Sequence, residues 1–198
     1  MHTLSAEQGR ALLALARQAI AIEQGLPGDG VTADAPWLRA PGATFVTLTQ
    51  HGRLRGCIGS LQAYRPLWLD VQANAVAAAM HDPRFPPLPA HEFDGTGIEV
   101  SLLSPAQTLA FDSEADALAQ LRPGVDGVVL EYGRHRSTFL PQVWAQLPDA
   151  DEFMAQLKRK AGLPPHFWAP GLRLARYTVE KWIETDLPAH APAGGGRA

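Results

Sequence analysis

An α+β fold is what this sequence predicts, on three observations. Residues 5–24 carry apolar side chains at helical spacing. Residues 44–58 read as two runs of strand-forming residues around a two-residue turn. Strand and helix patterns then stay mixed along the rest of the chain, and the hairpin implies antiparallel pairing. The 198 residues suit one compact domain or two small lobes, and they bury a sizeable core without metals or disulfides. With 18 glycines and 17 prolines the chain is rich in loops, yet short of a disordered composition.

Taken in order, Ser5 caps a first helix whose stripe is Leu12, Leu15, Ala16, Ala19 and Ile22, and Gly25 ends it. Residues 25–42 form a Pro/Gly loop. Thr44–Gln50 is rich in β-branched and aromatic residues, His51-Gly52 supplies the turn, and Arg53–Ile58 returns. Alternation along that second strand sets Leu54, Gly56 and Ile58 on one face and Arg53, Arg55 and Cys57 on the other. Pro66 opens a helix to Met80 with Leu67, Val71, Ala75 and Ala78 buried. The segment from His81 to Pro89 holds too many prolines for a helix or a central strand.

Ile98–Leu103 alternates as a strand and Ser104-Pro105 ends it. Ser113–Leu121 reads as a short helix, Gly127–Tyr132 as a strand, Gly133–Arg136 as a basic turn, and Ser137–Leu140 as its return. Pro141–Leu147 reads as a short helix. Asp149–Ala161 is a longer one, acidic at its start and basic at its end, which complements the helix dipole. Leu172–Val179 resembles a strand, Glu180–Thr185 a helical turn, and 188–198 a disordered tail after a domain spanning 1–187.

A formal net charge of −3 and a pI near 6.1 argue against a bulk electrostatic grip on nucleic acid or an anionic membrane. The best apolar stretch, Ala11–Ile22, is too short to span a bilayer and is broken by Arg17 and Gln18. One cysteine, Cys57, forms no intrachain disulfide, and a reducing, cytoplasmic setting is the simpler expectation. Basic residues are mostly arginine and alanine is abundant, which suits a GC-rich bacterial genome.

The common catalytic signatures are missing: no phosphate-cradling glycine loop, dinucleotide fingerprint, serine elbow or zinc pattern. The seven histidines are scattered, and no metal or cofactor is expected. What stands out is Leu54-Arg55-Gly56-Cys57-Ile58-Gly59. On a strand, Arg55 and Cys57 project to one face about 7 Å apart at the backbone. A guanidinium there favours the thiolate, which is the nucleophile. Gly56 and Gly59 allow a close approach, and their N–H groups suit an anion. Against this stands ordinary packing, since an unpaired cysteine is among the most buried residues.

The second candidate is Asp82-Pro83-Arg84-Phe85. Pro83 keeps Asp82 extended, so Asp82 and Arg84 take fixed directions toward a small polar ligand; a structural salt bridge is the competing reading. Glu99 and Ser101 lie on the strand face opposite Ile98 and Val100, either as the floor of the same pocket, with Glu99 a general base, or as plain solvent-side residues.

The ordered series Phe45-Val46-Thr47-Leu48, Leu54–Gly59, Asp82–Phe85, Val100–Pro105, Phe139–Val143 and Leu157–Gly162 resembles the AMMECR domain family, across about residues 5–185. In bacteria that family includes the group called AmmeMemoRadiSam system protein A. The resemblance implies a domain of a larger and a smaller lobe, intertwined in sequence, with Arg55-Gly56-Cys57 beside the groove between them. It brings no settled activity. It implies a place in a three-part system with a Memo-like protein and a radical S-adenosylmethionine protein, and the single cysteine means that this chain does not hold that partner's iron–sulfur cluster. The expectation is therefore a site with Cys57 as nucleophile, Arg55 as its activator, and Gly56, Gly59, Asp82, Arg84, Glu99 and Ser101 around a small polar or anionic ligand. The alternative is a non-catalytic module that docks the Memo-like or radical partner. The sequence carries no sign of oligomeric state.

Overall fold

The computed structural model describes residues 4–28 and 30–186. They divide into two units: residues up to Leu102 together with those from Lys181 on, and Leu103–Glu180.

In the first unit, α1 (Ala6–Glu23) begins at a capping box. The Ser5 hydroxyl accepts from the Gln8 N–H, and the Gln8 side chain accepts from the Ser5 N–H. Gly25 follows with φ 73°, the left-handed conformation expected at a helix end. A four-residue helix, α2 (Pro36–Arg39), sits in the loop and is too short to leave a periodic pattern. The hairpin pairs β1 (Pro41–Gln50) with β2 (Arg53–Gly59), and β3 (Arg65–Pro66) pairs with the start of β1. Helix α3 (Leu67–Met80) buries Leu67, Val71, Ala75 and Ala78, as its spacing predicts. The proline-rich stretch stays irregular up to one 3₁₀ turn, Ala90–Glu92, and β4 (Gly97–Leu103) follows.

The second unit opens with β5 (Gln107–Thr108) and α4 (Glu114–Ala119), the latter capped by Ser113. Next come β6 (Gly127–Tyr132), β7 (His135–Phe139), a 3₁₀ turn at Pro141–Ala145 and α5 (Ala150–Lys160). Helix α5 starts on the Asp149 carboxylate, which accepts from the Glu152 N–H. The described residues close with β8 (Arg173–Tyr177), β9 (Val179–Ile183) and a 3₁₀ turn at Glu184–Asp186.

One sheet has the order β2-β1-β4-β9, with β3 also on β1; the other has the order β5-β8-β6-β7, antiparallel at each pairing. Helices mixed with antiparallel pairs make this an α+β protein. Three local expectations are corrected. His135 and Arg136 belong to β7, because Gly133 turns the chain early with φ 55°. Residues 179–183 form a strand instead of a helical turn, since pairing beside β4 outweighs local propensity. The break between β8 and β9 falls at Thr178, whose C=O accepts from Ser104 N–H and whose N–H donates to Ser104 Oγ. The expected disordered tail at 188–198 lies outside the described residues.

Each unit has its own core. In the first, Leu12, Leu15 and Ile20 of α1 and Val71 and Ala75 of α3 cover Val46 and Leu48 of β1 and Ile98 and Val100 of β4. In the second, Phe153, Met154 and Leu157 of α5 lie against Val128, Leu130 and Leu174, with Trp144 stacked on Phe153. No helix among the described residues is long and apolar enough to cross a membrane.

Candidate functional site

The site begins with the register of the hairpin. A two-residue turn pairs Gln50 with Arg53, and unbroken pairing would then set Thr47 opposite Gly56. The register instead steps from Thr49↔Leu54 to Leu48↔Gly56, so Arg55 is the extra residue of a β-bulge and Thr47 faces Cys57. That step overturns the simple alternation expected for β2. Leu54 is turned outward, while Gly56 faces α3 so closely that a Cβ on it would lie 2.1 Å from the Ala78 carbonyl oxygen.

Arg55 is correspondingly re-aimed. Its guanidinium donates to the Pro86 carbonyl at 2.9 Å and the Pro87 carbonyl at 3.3 Å, and it approaches Glu92 at 3.8 Å. Arg55 thus fastens the proline-rich segment to β2. The cation beside the thiol is Arg84. Its pKa is raised chiefly by hydrogen bonds to Asp82, against the cost of burial, and the neighbouring Cys57 side chain adds to the rise.

Cys57 lies in the outer strand of its sheet, and its backbone N–H and C=O point away from β1. Asp82, just beyond the end of α3, accepts that N–H on Oδ2 at 2.8 Å. Arg84 Nη2 donates to the Cys57 carbonyl at 3.1 Å and to Asp82 Oδ2 at 2.6 Å, while Arg84 Nε donates to Asp82 Oδ1 at 2.9 Å. The ion pair therefore replaces the two hydrogen bonds that another strand would make here. The Asp82 side chain is 1% exposed and that of Arg84 is 53% exposed. Arg84's hydrogen bonds outweigh burial and hold the Asp82 carboxyl well below the usual carboxylate range.

The Cys57 side chain is half-buried on the face of the sheet away from α3, and Thr47 Oγ1 lies 3.3 Å from Sγ. Gly59 is on the same face, where the Phe45 ring occupies the space of its missing side chain, 2.3 Å from a Cβ position. Both glycines thus have packing reasons of their own. Gly56 belongs to the ladder with Leu48, whereas the Gly59 N–H points to the open edge, because Ser60 N–H is the one that turns inward to Thr44.

Thr49 lies beside Gly97, its hydroxyl 3.0 Å from a Cβ position there, so Glu99 and Ser101 share this face by alternation. Glu99 is ion-paired with Lys181 at 3.0 Å, and Ser101 is buried. Cys57, Thr47, Glu99 and Lys181 thus occupy one face of four neighbouring strands.

Sequence reasoning missed Thr47, since the bulge that pairs it with Cys57 leaves no compositional mark. It also missed a buried hub on α3. Asp70 accepts from Thr44 N–H and Oγ1 (2.7 Å each), Ser60 Oγ (2.8 Å), Arg65 Nε (2.8 Å) and Asn74 Nδ2 (3.0 Å). Asn74 also donates to the Thr44 carbonyl. The signal was present: Asp70 and Asn74, four apart, occupy core positions of an otherwise apolar stripe. Every oxygen of that carboxylate is used, so the hub joins β1, the end of β2 and α3. Among the described residues, no group of three or more His, Cys, Asp or Glu is placed to hold a metal ion.

A family model described as AMMECR1 matches residues 13–182. A Methanothermobacter thermautotrophicus protein is 40% identical over 187 residues, covering 91% of this chain and 96% of its own length. A Thermococcus onnurineus protein is 36% identical over 195 residues, covering 93% and 94%. The crystal structure of uncharacterized protein PH0010 from Pyrococcus horikoshii matches with a TM-score of 0.76 and 33% identity, over 91% of this chain and 93% of that one. These relatives are archaeal, so they lend no support to placing the chain in the bacterial group.

Proposed function

The chain belongs to the AMMECR1 family, and from that footing we propose that its working site is the outer end of β2 around Cys57, taking a small polar or anionic substrate. In this reading the protein is one component of a system with a Memo-like protein and a radical S-adenosylmethionine protein. One observation carries the placement of the site: the Arg84 guanidinium is fixed by Asp82 beside the Cys57 side chain while half of its own surface stays exposed. A cation so placed can receive an anionic group brought up to the sulfur. Thr47 Oγ1 supplies a hydrogen-bond donor to the sulfur, and the outward Gly59 N–H supplies another along the edge. Glu99, on the same face of the sheet two strands away, is the acid–base group of this reading and is ion-paired with Lys181.

Alkylation of native protein by iodoacetamide, followed by intact mass, tests this reading. Native Cys57 should react at neutral pH, more slowly in Arg84→Ala and at the parent rate in Arg55→Ala. Cys57→Ser should keep the parent Tm. Protection in the native state, with reaction only after unfolding, would remove the nucleophile.

A second reading, the non-catalytic docking module, is favoured by the commitment of Arg55 and Asp82 to structural bonds. Under it, Arg84→Ala weakens co-purification with the Memo-like or radical partner, and Cys57→Ser has no effect. Co-purification that survives Arg84→Ala counts against it.

A further inference from the structure

We infer that the ligand of the site at Cys57 is the C-terminal residue of an extended peptide, which pairs with the edge of β2 at Gly59 and delivers its carboxylate to Arg84. The inference rests on the proposed placement of the site at the outer end of β2, and not on the reactivity of the thiol.

The hydrogen-bond pattern of the edge sets the fit. Cys57 faces Thr47 and Gly59 faces Phe45 in the wide, unbonded pairs of the ladder, so both residues turn N–H and C=O outward. Along the strand the outward groups follow in the order Cys57 N–H, Cys57 C=O, Gly59 N–H, Gly59 C=O. Asp82 takes the first and Arg84 Nη2 the second. Among the described residues nothing is bonded to the Gly59 pair. The open edge is short, because β1 pairs next with β3 in a shifted register and residues 61–64 loop out of the ladder.

A peptide lying antiparallel to β2 receives the Gly59 N–H on the carbonyl oxygen of its paired residue and donates its own N–H to the Gly59 C=O. Its chain then heads toward Cys57, where the Asp82–Arg84 ion pair already fills the edge. A longer chain is blocked there, whereas a chain that ends at the paired residue places its second carboxylate oxygen beside the guanidinium. Arg84 is oriented to receive it. Nε and Nη2 are spent on Asp82 and on the Cys57 C=O, so Nη1 projects from the side of the planar group away from the Asp82 carboxylate. Along β2 that is the side of Gly59. Nη1 and the Gly59 N–H are thus neighbouring donors for one carboxylate.

The terminal side chain is selected as well. Directly paired residues project to the same face, and on that face the half-buried Phe45 ring fills the space of the missing Gly59 side chain. An aromatic or large apolar terminal residue extends this contact.

A ¹H–¹⁵N NMR titration of the full chain with N-acetyl-Ala-Phe tests the inference. Saturable shifts should centre on the Gly59 amide and the Arg84 Nε–H, and leave the amides of His51 and Gly52 unmoved. The C-terminal amide of the same peptide lacks the charge, and 3-phenylpropanoate lacks the N–H. Each should bind at least about fivefold more weakly. Arg84→Lys keeps a cation for Asp82 but has no Nη1, and should lose a similar factor. Phe45→Leu should narrow the preference for N-acetyl-Ala-Phe over N-acetyl-Ala-Ala. Absent shifts at Gly59, equal binding of acid and amide, or binding of 3-phenylpropanoate or free phenylalanine as tight as that of the peptide would overturn the inference. These comparisons of ligands on the parent protein hold even where a variant fails to fold. Alkylation reports separately. A native Cys57 that reacts while the peptide fails to bind overturns this inference alone, and a protected Cys57 with the peptide bound removes only the nucleophile.

Discussion

Asp82 and Cys57, 25 residues apart, are joined by a hydrogen bond of 2.8 Å from the Cys57 backbone N–H to Asp82 Oδ2. Together with the Arg84 bond to the Cys57 carbonyl, it closes the edge of β2 at one residue. An edge strand left open is a template for unwanted pairing, and a buried carboxylate with its guanidinium covers it without adding a strand. The device also fixes where the thiol sits relative to the Arg84 guanidinium.

Asp82 should make stability depend on acid. Its carboxyl titrates below the ordinary range when folded, so its contribution is complete above about pH 5 and is lost as pH falls from about 4 through the folded-state value. Asp82→Asn should cost about 2 kcal/mol at neutral pH, less than a fully buried pair because Arg84 is half exposed. Urea unfolding from pH 7 to pH 2.5 should show the gap between parent and variant closing on the acid side. A constant gap would sink the assignment.

The two glycines of the β2 motif should respond differently to alanine. At Gly56 the new methyl meets the Ala78 backbone carbonyl, which α3 holds in place. At Gly59 it meets the Phe45 ring, a side chain able to shift. Gly56→Ala should therefore cost about 3 kcal/mol or more, and Gly59→Ala less, on the scale of overpacked cores. Denaturant midpoints of the two variants decide the order.

Asp70 should be the most sensitive polar residue of the first unit. Asp70→Ala leaves the Thr44, Ser60, Asn74 and Arg65 donors without their acceptor, at a cost of about 3–5 kcal/mol. Asp70→Asn keeps the shape and should retain enough structure to measure. Its signature is faster hydrogen exchange at the Thr44 amide than at amides of the second unit.

Lys158 presents the opposite case. Its side chain is 1% exposed, paired with Glu114 and lying over the Trp168 ring. Glu114 is partly exposed and rehydrates when the amine is removed. Lys158→Met should therefore change stability by less than about 1.5 kcal/mol, while Lys158→Ala, which also loses the packed stem, should cost about 2–3 kcal/mol. Thermal melts of both variants distinguish packing from charge.

What the amino-acid order alone determined was local and periodic. The capped helix from Ala6, the tight turn at His51-Gly52, the buried stripe of α3 and the dipole-matched ends of α5 all follow from a few neighbouring residues. The motif residues around Cys57 were also legible as a candidate site. Their partnerships were not. A single bulge shifts the pairing so that Thr47, instead of its neighbour, meets the cysteine, and it sends Arg55 to two proline carbonyls. Arg84, from a loop 27 residues away, takes the place expected for Arg55. Residues 179–183 became a strand because β4 offered an open edge. Each of these outcomes depends on which unpaired backbone and side-chain groups of distant segments arrive together. Local propensity holds no record of that, and only the folded chain decides it.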